Sequence, residues 1–365
     1  MKFTINKEAF LAGLQQVQHV VTTRTTLPIL SNVLLRASKQ GLLLATTDLD
    51  VSVSGTVEAE VKENGGSTLP ARRLFSIIRE LPADEIDIAI DEKNVASIRC
   101  GPSHFKIMGL SDEEFPQLPT FTDAKEFKIS QQVLKDCLRK TSYAISTDEM
   151  RFVLNGILCS FKNNTLTMVA TDGRRLAMTE QELEFPQSNE VDIIIPTKAV
   201  NEIQRLLGDE GEVVLKVSPG QIGIDLGNYV LTSKLVEGNY PNYRQVIPSD
   251  TKERVALERE PLLRTLNRVS LLLVDKSNSI KLRFTRDKLR VEANAPNVGE
   301  AHEELPISYK GAEITIAFNP EFLMAPLRNL VSDEVHMHLI DDISPGVIRS
   351  GANFLYVLMP MRVNS

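Results

Sequence analysis

Three seventeen-residue segments of the chain align without a gap: INKEAFLAGLQQVQHVV from Ile5, ISQQVLKDCLRKTSYAI from Ile129 and LEREPLLRTLNRVSLLL from Leu257. In the first, Phe10, Leu14, Val17 and Val21 follow the i, i+4, i+7, i+11 spacing of an amphipathic helix. Leu134, Leu138 and Ile145 repeat the pattern, as do Leu262, Leu266, Val269 and Leu273. A helix written three times limits the fold, because each copy needs an equivalent apolar surface to cover it. A second triplet follows: TLPARRLFSIIRELP from Thr68, IIPTKAVNEIQRLLG from Ile194 and AFNPEFLMAPLRNLV from Ala317. Here Leu74, Val200 and Leu323 coincide, and so do Leu81, Leu207 and Leu330. Thr197 and Asn319 are expected N-caps, while Pro326 lacks a backbone donor and is expected to kink or weaken the last helix.

The first-triplet segments begin 124 and 128 residues apart, so the chain reads as three repeats of two halves each. Between the helices the apolar period drops to two, as in SNVLLRAS, GLLLATTD, EIDIAID and VASIRCG, with turns carrying Gly, Asn and Asp. The expected fold is α+β: three similar domains, at 1–121, 122–249 and 250–365, each with two helices on curved antiparallel sheets. One hairpin frame also recurs. MVATDGRRLAM from Met168 has an imperfect copy in LLATTDLDVSV from Leu43, with Asp172 and Asp48 at the turn and Asn294 near that place in the third repeat. Asp and Asn suit a turn because they bond their own backbone and tolerate left-handed geometry. Arg174 and Arg175 occur only in the middle copy and need another reason.

Charge is segregated. Over the expected helices 7–21, 71–81, 130–146, 197–207, 259–274 and 319–330 there are thirteen Lys and Arg against six Asp and Glu. That is +7, which leaves −14 for the rest of a chain whose net charge is −7. Exposed helix surfaces commonly carry basic residues, but a basic lining facing phosphate with an acidic exterior accounts for both parts of the split. Six helices about 10 Å wide, standing side by side in a ring, leave a hole of about 8 Å, too narrow for a duplex. Twelve leave about 27 Å, enough for DNA about 20 Å across, so a ring on DNA needs two chains.

Other chemistry is not indicated. Cys100, Cys137 and Cys159 are widely spaced without a C-x-x-C pair and are expected to be buried thiols. The five histidines form no H-E-x-x-H, and no Walker, G-x-S-x-G or G-x-G-x-x-G motif occurs. No metal, cofactor or catalytic residue is expected, and Asp48 with Asp50 reads as turn chemistry. The N-terminus lacks the apolar run of a secretory signal, and no stretch suits a membrane span, so a soluble cytoplasmic chain is expected. Two rival classes stay open on the residues alone: a three-module enzyme of DNA metabolism, and a docking scaffold that never touches DNA.

Nine motifs in order, MKFTI, LPILSN, TDLDVSV, LPARRLF, FPQLP, LNGIL, ATDGRRLA, SKLVEGNYPNYRQVIP and YVLMPMRV, make the chain resemble the bacterial DNA sliding clamp, the beta subunit of DNA polymerase III. The resemblance spans essentially the whole sequence. It implies a non-enzymatic processivity factor: a head-to-tail homodimeric ring around duplex DNA that tethers the polymerase III catalytic subunit, the clamp loader, and other polymerases and repair proteins. It puts DNA contacts at Arg24, Arg72, Arg73 and Lys198, and at Arg151 and Phe152, where relatives carry a Gln and two Tyr and this chain has Asp148, Phe152 and Val153. It implies a partner-peptide pocket at Leu154, Thr171, Gly173, Arg174, Arg175, Leu176, Pro241, Val246, Asn319, Ile343, Val357, Met359, Pro360, Met361 and Arg362. Arg174 stands where relatives often have His, and Gln245 where they have Arg. The implied dimer contact sets Leu271, Leu272, Glu300, Glu303 and Glu304 of one chain against Arg73, Ile77, Phe105 and Lys106 of the next.

Overall fold

A computed structural model describes residues 1–21, 26–82, 84–249, 252–273, 279–295 and 298–362. Both triplets fold as helices: α1 (Lys7–Val17), α2 (Ala71–Glu80), α3 (Gln131–Thr141), α4 (Thr197–Leu206), α5 (Arg259–Ser270) and α6 (Pro320–Asn329). The periodic residues are the buried ones, including Phe10, Leu14 and Val17 on α1, Leu134 and Leu138 on α3, and Leu262, Leu266 and Val269 on α5.

Several ends differ from the sequence expectation. α1 stops at Val17 and α3 at Thr141, each followed by one 3-10 turn, although the apolar spacing runs on to Val21 and Ile145. Hydroxyls take carbonyls of these last turns: Thr46 Oγ1 donates to Val17 O, and Thr141 Oγ1 donates to Cys137 O at 2.8 Å. Asn319 caps α6, its Oδ1 accepting from Phe322 N at 3.1 Å. Thr197 does not cap α4. It is the first helical residue, and its hydroxyl donates to Asn155 O at 2.8 Å.

Pro326 does not break α6, which runs through it. The missing N–H would have served Phe322 O four residues back, and the buried Tyr356 hydroxyl donates to that oxygen at 2.8 Å. A tertiary donor thus replaces the lost helical one.

The contacts divide the chain into two bodies, Met1–Val133 with Lys198–Leu235, and Leu134–Thr197 with Val236–Ser365. The first holds a five-stranded sheet in the order Glu60–Glu63, Lys2–Asn6, Glu85–Ile90, Val95–Cys100, Ser103–Met108. It also holds an eight-stranded sheet: Lys125–Ser130, Glu212–Ser218, Gln221–Asp225, Tyr229–Lys234, Val51–Val57, Gly41–Thr47, Asn32–Ser38, Gly65–Pro70. The second body repeats this one repeat later: Val191–Pro196, Gly156–Lys162, Thr165–Thr171, Arg175–Glu182, Phe354–Leu358, Gly346–Ser350, Glu334–Leu339, Glu253–Glu258. Its smaller sheet is Gly299–Pro306, Lys288–Ala295, Ile280–Thr285, Ile314–Phe318. Neighbouring strands pair antiparallel throughout these sheets.

Each eight-stranded sheet therefore takes four strands from each of two consecutive repeats, which is why the bodies cut across the repeats. The joins are Val51–Val57 with Tyr229–Lys234, where Val53 faces Leu231, and Arg175–Glu182 with Phe354–Leu358, where Leu176 faces Val357. Leu158, Val169, Leu176, Ile194, Val347, Leu355 and Val357 form one core cluster across the second join.

Candidate functional site

The recurring hairpin turn is built the same way twice. At Asp172, Oδ1 accepts from the backbone of Arg174 (2.9 Å) and Arg175 (3.1 Å), and Thr171 Oγ1 accepts from Gly173 N (3.1 Å). At Asp48, Oδ1 accepts from Asp50 N (3.0 Å) and Val51 N (2.8 Å), and Thr47 Oγ1 accepts from Leu49 N (3.1 Å). Both turns need a left-handed residue, supplied by Gly173 at φ 84° and by Leu49 at φ 79°. The carboxylate's second oxygen takes a cation in each case: Arg175 Nε at 3.0 Å on Asp172, and the Lys198 ammonium on Asp48.

Arg175 is a structural staple. Its side chain is only 14% exposed, and its guanidinium lies 4.3 Å from the Phe322 ring centroid on α6 and 6.0 Å from that of Tyr143. Burial holds the Tyr356 phenol above its ordinary range, with Arg175 pulling the other way, so the hydroxyl remains a neutral donor to Phe322 O. Arg174 is exposed. The last described segment is fixed at two points, Met359 N donating to Arg174 O at 3.0 Å and Met361 N to Ala317 O at 2.8 Å.

These contacts shape a groove in the second body. A cavity of about 850 Å³ is lined by Lys281, Thr315, Ala317, Asp342, Ile343, Met359, Pro360, Met361 and Arg362. Ile343 is 77% and Met359 44% exposed, two apolar side chains left in solvent among the described residues. Of the other pocket residues expected from sequence, Leu154, Leu176 and Val357 are buried, Thr171 and Asn319 are half-buried, and Gly173, Pro241 and Val246 are exposed. Tyr240, Tyr243 and Ile247 pack on the same core cluster as Leu176 and Val357. Sequence reasoning did not single out Lys281, Thr315, Ala317 or Asp342, because only the pairing of Ile314–Phe318 beside the C-terminal segment brings them there.

Arg151 and Phe152, expected on DNA, are both exposed, and Arg151 lies against the Asp172 turn. Arg151 Nη1 donates to Asp172 O at 3.3 Å and lies 2.7 Å from where a Cβ on Gly173 would be. Phe152, 59% exposed, lies 3.7 Å from the corresponding position at Gly238. Arg24 lies outside the described residues. Arg72 and Arg73 are exposed on α2 without an ion pair among the described residues, and Arg72 lines a cavity of about 340 Å³ with Gln18, His19, Phe75 and Ser76. Lys198 differs, since Asp48 already holds its ammonium.

The expected dimer-contact residues fall on two sheet edges, within α2 and just after α5. Phe105 and Lys106 lie on edge strand Ser103–Met108, and Glu300, Glu303 and Glu304 on edge strand Gly299–Pro306. Leu271 is 84% exposed after α5, Leu272 is half-buried, and Ile77 with Arg73 lies on α2. Two of the three acids have partners in their own chain: Glu303 takes Arg268 at 2.7 Å and Glu304 takes Lys288 at 2.9 Å. Met108, 80% exposed at the end of its edge strand, is an apolar group that the sequence reading did not single out.

The three cysteines are buried, and burial lifts the Cys137 thiol to about 12 and that of Cys159 higher still. Neither is a nucleophile at neutral pH. Among the described residues no cluster of His, Cys, Asp and Glu could hold a metal ion, and no helix is long and apolar enough to cross a membrane.

Comparison with known proteins agrees along the whole length. Family models of the DNA polymerase III beta subunit match in order: the N-terminal domain over residues 1–119, the central domain over 128–242 and the C-terminal domain over 244–362. The beta sliding clamp of Chlamydia muridarum is 35% identical over 364 residues, and that of Pseudomonas putida 36% over 368, each covering 100% of both chains. Among solved structures, the DNA polymerase sliding clamp from Bacillus subtilis superposes with a TM-score of 0.96 at 28% identity, covering 100% of both chains. A Pseudomonas aeruginosa sliding clamp bound to griselimycin gives 0.95 at 36% identity with the same coverage. With three repeats on shared antiparallel sheets and these matches from end to end, the chain belongs to the DNA polymerase III beta subunit family, the bacterial beta sliding clamps.

Proposed function

We propose that two copies of this chain close head to tail into a ring around duplex DNA and hold the replicative polymerase and other partners to it. It acts without catalysis, as a processivity factor in the cytoplasm. Its domains are 1–121, 122–249 and 250–365, and its partners are the polymerase III catalytic subunit, the clamp loader, and other polymerases and repair proteins.

The observation that carries this reading is the state of the two smaller sheets. Gly299–Pro306, Lys288–Ala295, Ile280–Thr285 and Ile314–Phe318 correspond, strand for strand, to one half of each eight-stranded sheet. Ser103–Met108, Val95–Cys100, Glu85–Ile90 and Lys2–Asn6 correspond to the other half. In the complete sheets the strand equivalent to Gly299–Pro306 pairs with the strand equivalent to Ser103–Met108. Both are edges here, and an open edge is a template for another chain. Pairing the third repeat of one copy with the first repeat of the next completes the missing sheet twice over, and the ring closes after two copies. The apolar groups Leu271, Leu272, Phe105 and Met108 flank those edges, and Glu300 is left for Arg73 or Lys106.

Twelve helices then line the hole. Within the observed helix bounds the count is still thirteen basic residues against six acidic ones. Phosphate contacts through Arg24, Arg72 and Arg73, with Lys198 released from Asp48 on approach, give binding that ignores sequence. Each contact removed lowers the salt slope by about one. The groove lined by Met359, Pro360, Met361 and Ile343 takes short partner tails through apolar anchors. Methionines make such a surface adaptable to several of them. The griselimycin-bound relative supports a ligand groove on this fold.

Retention on DNA tests the ring. Loaded protein should remain on closed circles and leave linear molecules by their free ends, and equal loss from both forms would refute encirclement. For the groove, deleting residues 361–365 should abolish binding of a Gln- and Leu-rich peptide in fluorescence anisotropy while the dimer sediments unchanged.

A further inference from the structure

The groove does not end at the methionines. Its cavity continues across the outer face of the strands Ile280–Thr285 and Ile314–Phe318, where Lys281 stands opposite Ala317 and Arg283 opposite Thr315. These four share one face by strand alternation, while Ile280, Leu282, Phe284, Ile316 and Phe318 are buried on the other. Arg283 is neutralised by Glu313 at 2.6 Å. Lys281 and Arg362 have no ion pair among the described residues, and both line the cavity. Asp342, on the same lining, is the one acid there.

Ile314–Phe318 is also the end strand of its sheet. The C-terminal segment bonds it through Met361 N to Ala317 O, which fixes Met361 and Arg362 beside this strand.

We propose that this extension is a second subsite of the docking groove, and that it takes an acidic residue flanking the apolar anchor of a partner peptide, paired with Lys281 and aided by Arg362. The subsite rests on the groove reading above, is continuous with it through Met359 to Arg362, and has two cations against one carboxylate. Asp342 opposes an acidic flank from one wall and so orders the occupant, with the acid towards Lys281 and a donor group towards Asp342. The apolar floor supplies affinity, and the charges choose among partners that share the same anchor.

The test uses the full dimer and three peptides in fluorescence anisotropy at low salt: a Gln- and Leu-rich anchor alone, and the anchor extended by Asp-Glu at its N-terminal or its C-terminal end. One extended peptide should bind about three- to fivefold more tightly than the anchor, the gain of a partly exposed ion pair. Lys281→Glu should erase that gain, measured against the anchor alone in the same variant, and favour a Lys-Lys extension instead. Asp342→Asn should raise the gain about twofold, and Arg283→Glu, already paired on the same face, should leave it in place. If neither extension changes affinity, or if the gain survives in Lys281→Glu, the subsite is refuted while the groove stands. If the anchor alone fails to bind the native dimer, the groove reading fails instead.

Discussion

Asp48 and Asp172 perform one backbone task, bonding two turn amides through Oδ1, yet the cation on the remaining oxygen separates their uses. Lys198 reaches Asp48 from another element, whereas Arg175 comes from the turn itself and points onto the Phe322 ring. The left-handed position between them also differs. A side chain in that conformation costs about 1–2 kcal/mol, while glycine costs about 0.5–1 in chain entropy. Leu49→Gly is therefore expected to stabilise the protein by about 0.5 kcal/mol in urea unfolding. Gly173→Ala is expected to destabilise it by about 1 kcal/mol, because the residue is left-handed and the new Cβ falls 2.7 Å from Arg151 Nη1.

At the scale of the element, α6 shows how a helix tolerates an interior proline. The Tyr356 hydroxyl serves the carbonyl that Pro326 cannot, and Tyr356→Phe should cost about 1–3 kcal/mol by leaving this half-buried group without its donor. In a Pro326→Ala background the helix supplies its own N–H, so the same change should cost close to nothing. Additive effects of the two substitutions in chemical denaturation would contradict this account.

The strand Glu334–Leu339 gives a pH dependence. Burial, then Arg349, Arg254 and His336, hold the His338 imidazole below its ordinary value of 6.5. Protonation is thus easier in the unfolded chain, which binds more protons as pH falls below the unfolded value near 6.5. The contribution to stability is whole above that pH and declines as pH drops towards the folded value. His338→Gln should flatten that part of the stability curve, measured as denaturation midpoint against pH.

Assembly belongs to the whole molecule. The charges on the edge Gly299–Pro306 are largely satisfied within the chain, Glu303 by Arg268 and Glu304 by Lys288, and their shared contacts hold both carboxyls below the usual carboxylate range. On the proposed interface the association energy then falls mainly to apolar groups and backbone pairing. Replacing Leu271 and Leu272 with Ala should remove up to about 2 kcal/mol for each side chain buried, giving folded monomer at low micromolar concentration in sedimentation. Raising the salt should have a smaller effect on the native dimer than that substitution, since exposed ion pairs contribute little.

The sequence by itself determined the six helices, the strands between them, the repeat and the shared turn, because period, turn residues and apolar spacing are local quantities that each copy restates. Through the family resemblance it also gave Met359 and Met361 as expected groove residues, and both line the cavity. Only the tertiary structure decided that strands of successive repeats merge into one sheet, because inter-strand pairing leaves no period in the chain. It alone decided that Tyr356 rescues α6, that Arg175 is a staple between elements, and that Lys281 and Asp342 line one cavity with the C-terminal segment. Each of these joins residues distant in sequence, and which distant groups meet is fixed by the packing of elements and not by any spacing a single segment carries.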